Sequence, residues 1–253
     1  MKNVYLLFIV LFSANIVLAQ IIPDNRKINW KPGLTEGIPD ISSPVKNVLD
    51  FGADSSGIND SYDAFAQALQ SLPAAGGVIY MPKGKYLLRS GIEINRDNIV
   101  FRGDGHKKTK LLMNFNGDCF SVITYKRGEW QSIGEINKGV KTIVVPDGTK
   151  FSVGQFAEIQ QENDPDVMYT KPDWNVSWAE NSVGQLFEIE KIIGDSITFK
   201  TEVHIDFSAD LNPVIRPQGF VRNIGFENFY IEKMVAGGNT FKFKNALIVG
   251  LII

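Results

Sequence analysis

From Gly77 onward the chain is written in short apolar-rich segments broken by Gly, Asn and Asp. They run VIYM, KYLL, IEI, NIVFRG, KLLM, FSVITY, KTIVV, FAEIQ, LFEIEKI, SITFK, FVRNIGFENFYIE and TFKFKNALIVGLII. Segments this short, bounded by turn residues, read as strands. Strands with no helix pattern between them leave a sandwich, a barrel or a solenoid of stacked coils. Repetition decides among the three. Asn98 opens NIVFRG, Asn223 opens NIGFENFYIE and Asn245 opens NALIVGLII, the last two 22 residues apart, the length of one coil of a parallel β-helix. Coils stacked at about 4.8 Å set like residues in ladders, asparagines at the turns and aliphatics inside. The expected fold is all-β, a solenoid in preference to a sandwich.

One helical pattern stands against this background, within DFGADSSGINDSYDAFAQALQSLPAAGGVIYMPKGKYLL, Asp50 to Leu88. Asp60 or Ser61 can cap its start, Phe65, Ala68, Leu69 and Leu72 recur at helical spacing, and Pro73 with Gly76-Gly77 ends it. A solenoid's first coil would otherwise expose strand edges and an apolar interior. The helix is expected to lie across that end, with Phe65, Leu69 and Leu72 on the first coil. The loop from Asp50 and Phe51 makes the reversal: Gly52 and Gly57 supply backbone freedom, and Asp54 and Asp60 close turns.

The 253 residues are 44% apolar, enough for a sizeable core in one or at most two domains. A net charge of −2 and no dense basic run leave nothing to attract a phosphate backbone, so nucleic acid is not an expected partner. Residues 1–19 pair Lys2 with an apolar run and place Val17 and Ala19 as a signal peptidase reads them. A membrane anchor fits less well, because the run is short and holds Ser13 and Asn15. The mature protein is expected to be periplasmic or secreted, without a stable membrane anchor after cleavage. Residues 20–44 lack any period and read as an extended lead-in. Cys119 is the single cysteine and is expected to be a buried hydrophobe. With only His106 and His204, chemistry falls to carboxylates, lysines or arginines.

Asp50-Phe51-Gly52-Ala53, Gly57 and Asp60, the helix DAFAQAL, and GGVIYMPKGKYLL resemble the N-terminal signature of pectate-lyase-like β-helix proteins. That group includes rhamnogalacturonases, polygalacturonases, tailspike-type depolymerases and epimerase-like domains. NIVFRGDGHKKTKLL, with Gly103, Gly105, Thr109 and Leu111, resembles the coil that follows. The resemblance implies a right-handed parallel β-helix over 45–253 with an N-terminal capping helix. It transfers no catalytic residue, because such residues lie on later coils and differ among members. A lyase of this group would use calcium held by acidic side chains, and that constellation is not visible here. The GDG of Gly103–Gly105 is followed by no helix pattern and reads as a turn between coils.

The longest polar interruption is 160–185, between FAEIQ and LFEIEKI. Tyr169, Trp174 and Trp178 offer ring faces for sugars, and Asp164 and Asp166 offer acceptors for hydroxyls, calcium or a cation. The same aromatics would equally serve to pin the loop onto the solenoid. NALIVGLII ends on apolar residues with no capping pattern, so the chain is expected to be the N-terminal portion of a longer solenoid. The expected function is that of an exported polysaccharide-degrading protein, a lyase or glycoside hydrolase on an acidic glycan such as pectin. A noncatalytic carbohydrate-binding or surface structural β-helix is the alternative. Oligomeric state leaves no trace in the sequence.

Overall fold

The structure, a computed structural model, describes residues 40–164 and 179–252. The signal segment and most of the lead-in lie outside the described residues. Strands β1 (Val45–Asn47) and β2 (Ser56–Asp60) precede helix α1 (Tyr62–Gln70). Then come β3 (Gly77–Met81), β4 (Gly84–Leu88), β5 (Ile92–Ile94), β6 (Ile99–Gly103), β7 (Thr109–Met113) and β8 (Phe120–Ile123). A second group holds β9 (Gln131–Ser132), β10 (Thr142–Val144), β11 (Phe156–Gln161), β12 (Val183–Ile193), β13 (Ser196–Phe199) and β14 (Val214–Gln218). The last strands are β15 (Val221–Glu227), β16 (Tyr230–Lys233), β17 (Phe241–Lys244) and β18 (Ala246–Ile252).

The first and last groups form three parallel sheets. Sheet A is β1-β3-β6-β15-β18, sheet B is β2-β4-β7-β16, and sheet C is β5-β8-β17. From β3 the chain visits A, B and C in turn, then A again one strand further along. The register keeps like with like: Ile79 pairs with Phe101 and Phe101 with Phe226, while Tyr86 pairs with Leu111 and Leu111 with Ile231. These inward residues form one apolar core with Leu88, Ile94, Phe120 and Val122. Phe120 touches four rings, Phe101, Phe226, Phe229 and Phe241, at centroid distances of 5.1, 5.0, 6.2 and 5.8 Å.

The asparagine ladder is present. Asn98, Asn223 and Asn245 each take a left-handed conformation, with φ of 61, 57 and 55°, directly before a sheet A strand or, for Asn223, two residues into one. Asparagine tolerates this region because its short side chain bonds locally. Asn223 Nδ2 donates to Asn98 Oδ1 at 2.7 Å, and Asn98 Nδ2 to Ala75 O at 3.2 Å. The ladder stops there. Asn245 Nδ2 donates to Thr124 O instead, and Asn223 Oδ1 is left buried without a partner. At Gly76 a Cβ would lie 2.1 Å from Asn98 O, so glycine is what lets the two turns stack.

α1 buries Ala64, Phe65 and Ala68, and Phe65 and Leu72 join the same core, with Leu69 and Phe51 packed against it. Phe65 meets Tyr86 edge-on at 5.7 Å. Burial of a ring of this size contributes about 1.5–3 kcal/mol. Asp60 Oδ1 accepts the N–H of Tyr62 and that of Arg89, while the Ser61 hydroxyl is turned away to accept from Asp54 N. Ser61 stands at the N-cap without a side-chain capping bond, and Asp60 just before it supplies the acceptor for the helix's first N–H. Asp50 is exposed in the helical turn Val48–Phe51, which ends at Gly52 with φ 87°. The stretch expected as one loop is half strand, since Ser56–Asp60 pairs with β4.

One expectation is corrected. KTIVV, FAEIQ, LFEIEKI and SITFK do not continue the parallel stack. β9–β14 form an antiparallel sheet in the order β10-β13-β12-β11-β14-β9, placed between β8 and β15. Its own core includes Ala157, Ile159, Phe187, Ile189, Ile197, Phe199 and Ile215. Phe187 and Phe199 stack at 4.4 Å. Period-2 alternation marks a half-buried strand whichever way its neighbour runs, so it cannot assign pairing direction. The polar connection narrows to 162–182, because Gln160–Gln161 and Val183–Gln185 belong to β11 and β12.

The parallel stack closes again across this insertion. Arg102 Nε donates to Glu227 Oε2 at 2.7 Å, binding β6 to β15. Arg222 fixes the insertion at its root: its guanidinium lies 5.2 Å over the Phe156 ring and donates to Gly154 O.

Candidate functional site

Sheet C is built of short strands, of three or four residues each. Its register aligns Ile92, Phe120 and Phe241, then Glu93, Ser121 and Lys242, then Ile94, Val122 and Phe243. Ile92, Ile94, Phe120 and Val122 are buried. Alternation therefore puts Glu93, Ser121 and Lys242 on the outer face, as a carboxylate, a hydroxyl and an ammonium on three neighbouring strands about 4.8 Å apart.

Asp118 lies two residues before β8, beside this row. Its carboxylate accepts from Asn239 N and Nδ2, both at 2.9 Å, and from Lys242 Nζ at 2.8 Å. The Lys242 hydrogen bond first, then those from Asn239, pull its pKa down to about 2. The same contact raises the pKa of Lys242. Asp118 is thus held ionised and Lys242 protonated. The turn that presents Asn239 is itself anchored. Lys233 Nζ donates to Gly117 O at 3.1 Å and to Gly237 O, and Gly238, at φ 66°, lies so close to Gly117 that a Cβ would sit 2.1 Å from its carbonyl.

A cleft of about 410 Å³ opens over these residues, lined among others by Arg89, Glu93, Asn116, Asp118 and Ser121. A second hollow of about 400 Å³ runs toward α1, with Tyr62, Gln70, Asn95 and Arg96 on its walls. Glu93 lines both. Off the row, two residues past the end of β8, stands Tyr125, 65% exposed, with Lys244 Nζ 4.7 Å from its ring centroid. The surface thus offers two carboxylates, three cations, a hydroxyl, an amide and an aromatic face, which are the groups that bind sugar hydroxyls, sugar acids and ring C–H faces.

Of the residues proposed from sequence for substrate contact, Tyr169, Asp166, Trp174 and Trp178 lie outside the described residues. Asp164 stands where the polar connection leaves β11, and it lines neither hollow. Beside it Glu162 Oε1 accepts from Asn212 Nδ2 at 2.9 Å. Cys119 is fully buried, and burial pushes its thiol pKa up. Among the described residues no three His, Cys, Asp or Glu side chains converge.

Sequence reasoning missed Arg89, Glu93, Asp118, Ser121 and Lys242. A signal existed in the outward positions of IEI, FSVI and FKFK. Their mutual register was hidden, because β8 ends at Ile123 and β17 begins at Phe241.

Similar solved structures include the tailspike gp61 of Pseudomonas phage phi297, at 14% identity and TM-score 0.51 over 80% of this chain and 38% of that one. The gp54 tailspike of Acinetobacter baumannii bacteriophage AP22, solved in complex with A. baumannii capsular saccharide, is 13% identical at TM-score 0.54, over 82% and 36%. The tailspike gp49 of Pseudomonas phage LKA1 is 15% identical at TM-score 0.50, over 72% and 34%. The chain spans less than two fifths of the length of each of these tailspikes. No curated protein matches it. The sequence profile of rhamnogalacturonase A/epimerase, pectate lyase-like proteins matches residues 45–228, which takes in every strand from β1 to β15. By that match, this chain belongs to the rhamnogalacturonase A/epimerase, pectate lyase-like family.

Proposed function

We propose that the three parallel sheets wind as a right-handed solenoid closed at its N-terminal mouth by α1, in an exported protein that binds and cleaves an acidic polysaccharide along sheet C. The observation behind this reading is the outward row Glu93, Ser121, Lys242 with Asp118 beside it and a cleft above. A glycan laid along the row meets a polar group at each strand. Arg89, Lys242 and Lys244 supply counter-charges for sugar carboxylates, and Tyr125 supplies a stacking face. Family membership and the saccharide-bound state of the phage AP22 tailspike support the substrate class.

Two carboxyl groups lining one cleft favour hydrolysis over elimination. Hydrolysis needs two carboxyl groups flanking the bond, one donating a proton and one acting as base or nucleophile. Asp118, ionised down to about pH 2, takes the second role, and Glu93 is assigned the first. Elimination needs an unprotonated base beside the sugar acid. Lys242 is kept protonated by Asp118 and serves as a counter-charge instead.

The test is incubation of the purified chain with polygalacturonate, rhamnogalacturonan and alginate, following reducing ends together with ultraviolet absorbance of unsaturated products. Reducing ends without new absorbance are expected, and they are lost in Glu93→Gln and Asp118→Asn. Both signals together would identify a lyase. Binding with neither signal would identify a noncatalytic carbohydrate binder, and no binding to any of the three polymers would overturn the reading.

A further inference from the structure

We propose that Asn116 is a self-modifying residue: its side-chain amide is lost by attack of the Gly117 backbone nitrogen, which places a new carboxylate on the wall of the sheet C cleft. In three places an Asn or Asp precedes a glycine, at Asp104-Gly105, Asn116-Gly117 and Asp147-Gly148. A cyclic imide closes most readily at such pairs, because glycine sets no Cβ in the path of the ring. Hydrogen bonding separates the three. Gly105 N donates to Asn228 O at 2.7 Å and Gly148 N to Asp195 Oδ1 at 2.9 Å, so both nitrogens are committed. Asp104 is occupied by the Tyr80 hydroxyl and Lys83 N, and Asp147 by Thr149 N. Among the described residues the Gly117 N–H has no acceptor, and the Asn116 carboxamide neither donates nor accepts. Every other asparagine of the chain is followed by a residue with a side chain.

Asn116 is exposed in the bend between β7 and β8, so water and hydroxide reach it. Lys233 Nζ donates to Gly117 O at 3.1 Å, and a cation at that turn favours loss of the proton from the glycine nitrogen. That proton passes to hydroxide, and the nitrogen bonds to Asn116 Cγ. The Cγ–Nδ2 bond breaks, and ammonia leaves after taking a proton from water. Water then opens the imide in one of two ways. Addition at Cγ breaks the new Cγ–N bond and gives aspartate. Addition at the Asn116 backbone carbonyl breaks its bond to Gly117 N and gives isoaspartate, with the main chain rerouted through Cβ and Cγ. The sum is amide plus water to acid plus ammonia, with nothing oxidised or reduced. Either product adds a negative charge to the cleft that Glu93 and Asp118 also line, and a like charge there opposes ionisation of Asp118. The chemistry is confined to the chain itself, so it stands whatever the cleft binds.

The experiment holds the purified full chain at mildly alkaline pH and body temperature and follows its tryptic peptides by mass spectrometry, with isoaspartate counted by enzymatic methylation. The peptide Leu111–Lys126 should change from amide to acid mass, with isoaspartate the larger product and a rate that rises with pH. Gly117→Ala should slow the change about tenfold, since the added Cβ obstructs ring closure. That Cβ would lie 3.2 Å from the edge of the Phe115 ring, which can turn aside, so the variant is expected to fold. Asn116→Gln, which must close a larger ring, should slow it at least as much, and it decides the matter if the alanine variant misfolds by far-ultraviolet circular dichroism. Asp104 and Asp147 should keep their ordinary linkages. A peptide Leu111–Lys126 that keeps its amide throughout would overturn the proposal. So would an unchanged rate in a folded variant, or isoaspartate forming at Asp104 or Asp147 as fast as at Asn116, which would mean that the free Gly117 N–H selects nothing.

Discussion

Replacing Phe120 with alanine tests whether the chain resumes its stack after the insertion. Phe120 is fully buried, and three of its four ring neighbours, Phe226, Phe229 and Phe241, come from the far side of the inserted sheet. Truncating a buried phenylalanine costs about 3–5 kcal/mol in lost transfer energy and residual cavity. Each well-placed aromatic pair adds about 0.5–1.5 kcal/mol beyond burial, though four pairs around one ring overlap and do not sum. We expect about 4–5 kcal/mol, a large part of the about 5–15 kcal/mol that holds a typical domain together. Urea unfolding followed by circular dichroism gives the total, and native-state hydrogen exchange locates it. Amides of β5, β8, β15 and β17 should lose protection together, while β11–β13, whose core does not include Phe120, should keep theirs. A cost below about 1.5 kcal/mol, or loss confined to β8, would refute the stacking of β17 on β8.

Asn98→Ala should cost about 2–3 kcal/mol, from alanine forced to φ 61° and the loss of two side-chain hydrogen bonds. Asn98→Gly should recover the backbone share and cost about 1 kcal/mol, so equal thermal shifts for the two would argue against the ladder. Tyr86 is buried and donates its hydroxyl to Pro82 O at 2.9 Å, and burial raises its pKa to about 12. Since the folded value lies above the ordinary 10.0, its contribution is complete below pH 10 and is lost as pH rises toward 12. Tyr86→Phe should flatten the fall in stability across that interval, measured by urea midpoints. Asp118 has the opposite sign: its folded pKa, lowered from 3.8 to about 2, makes its contribution complete above pH 4 and lost as pH falls toward 2. Asp118→Asn should remove that acid-sensitive part of the thermal unfolding profile.

The parallel stack was legible where residue chemistry reported backbone conformation. Asn98, Asn223 and Asn245 stand at left-handed positions because few other residues tolerate them, and the helix is visible because Phe65, Ala68, Leu69 and Leu72 share a face. The inserted sheet was hidden because Ala157 and Ile159 alternate with half-buried neighbours just as Thr109, Leu111 and Met113 do. Link length does not separate the two either: Gly194-Asp195 joins β12 to its antiparallel neighbour β13, and Pro82-Lys83 joins β3 to β4, which lie in different parallel sheets. The sheet C site could not be found from spacing, since Asp118 and Lys242 are 124 residues apart and meet only through strand register.

The most direct test of the central claim is a crystal structure of the chain soaked with an oligogalacturonate. The account predicts sugar density over the sheet C cleft, with carboxylates near Arg89 or Lys242 and the glycosidic oxygen between Glu93 and Asp118. Density elsewhere on the protein, with that cleft holding only solvent, would contradict it.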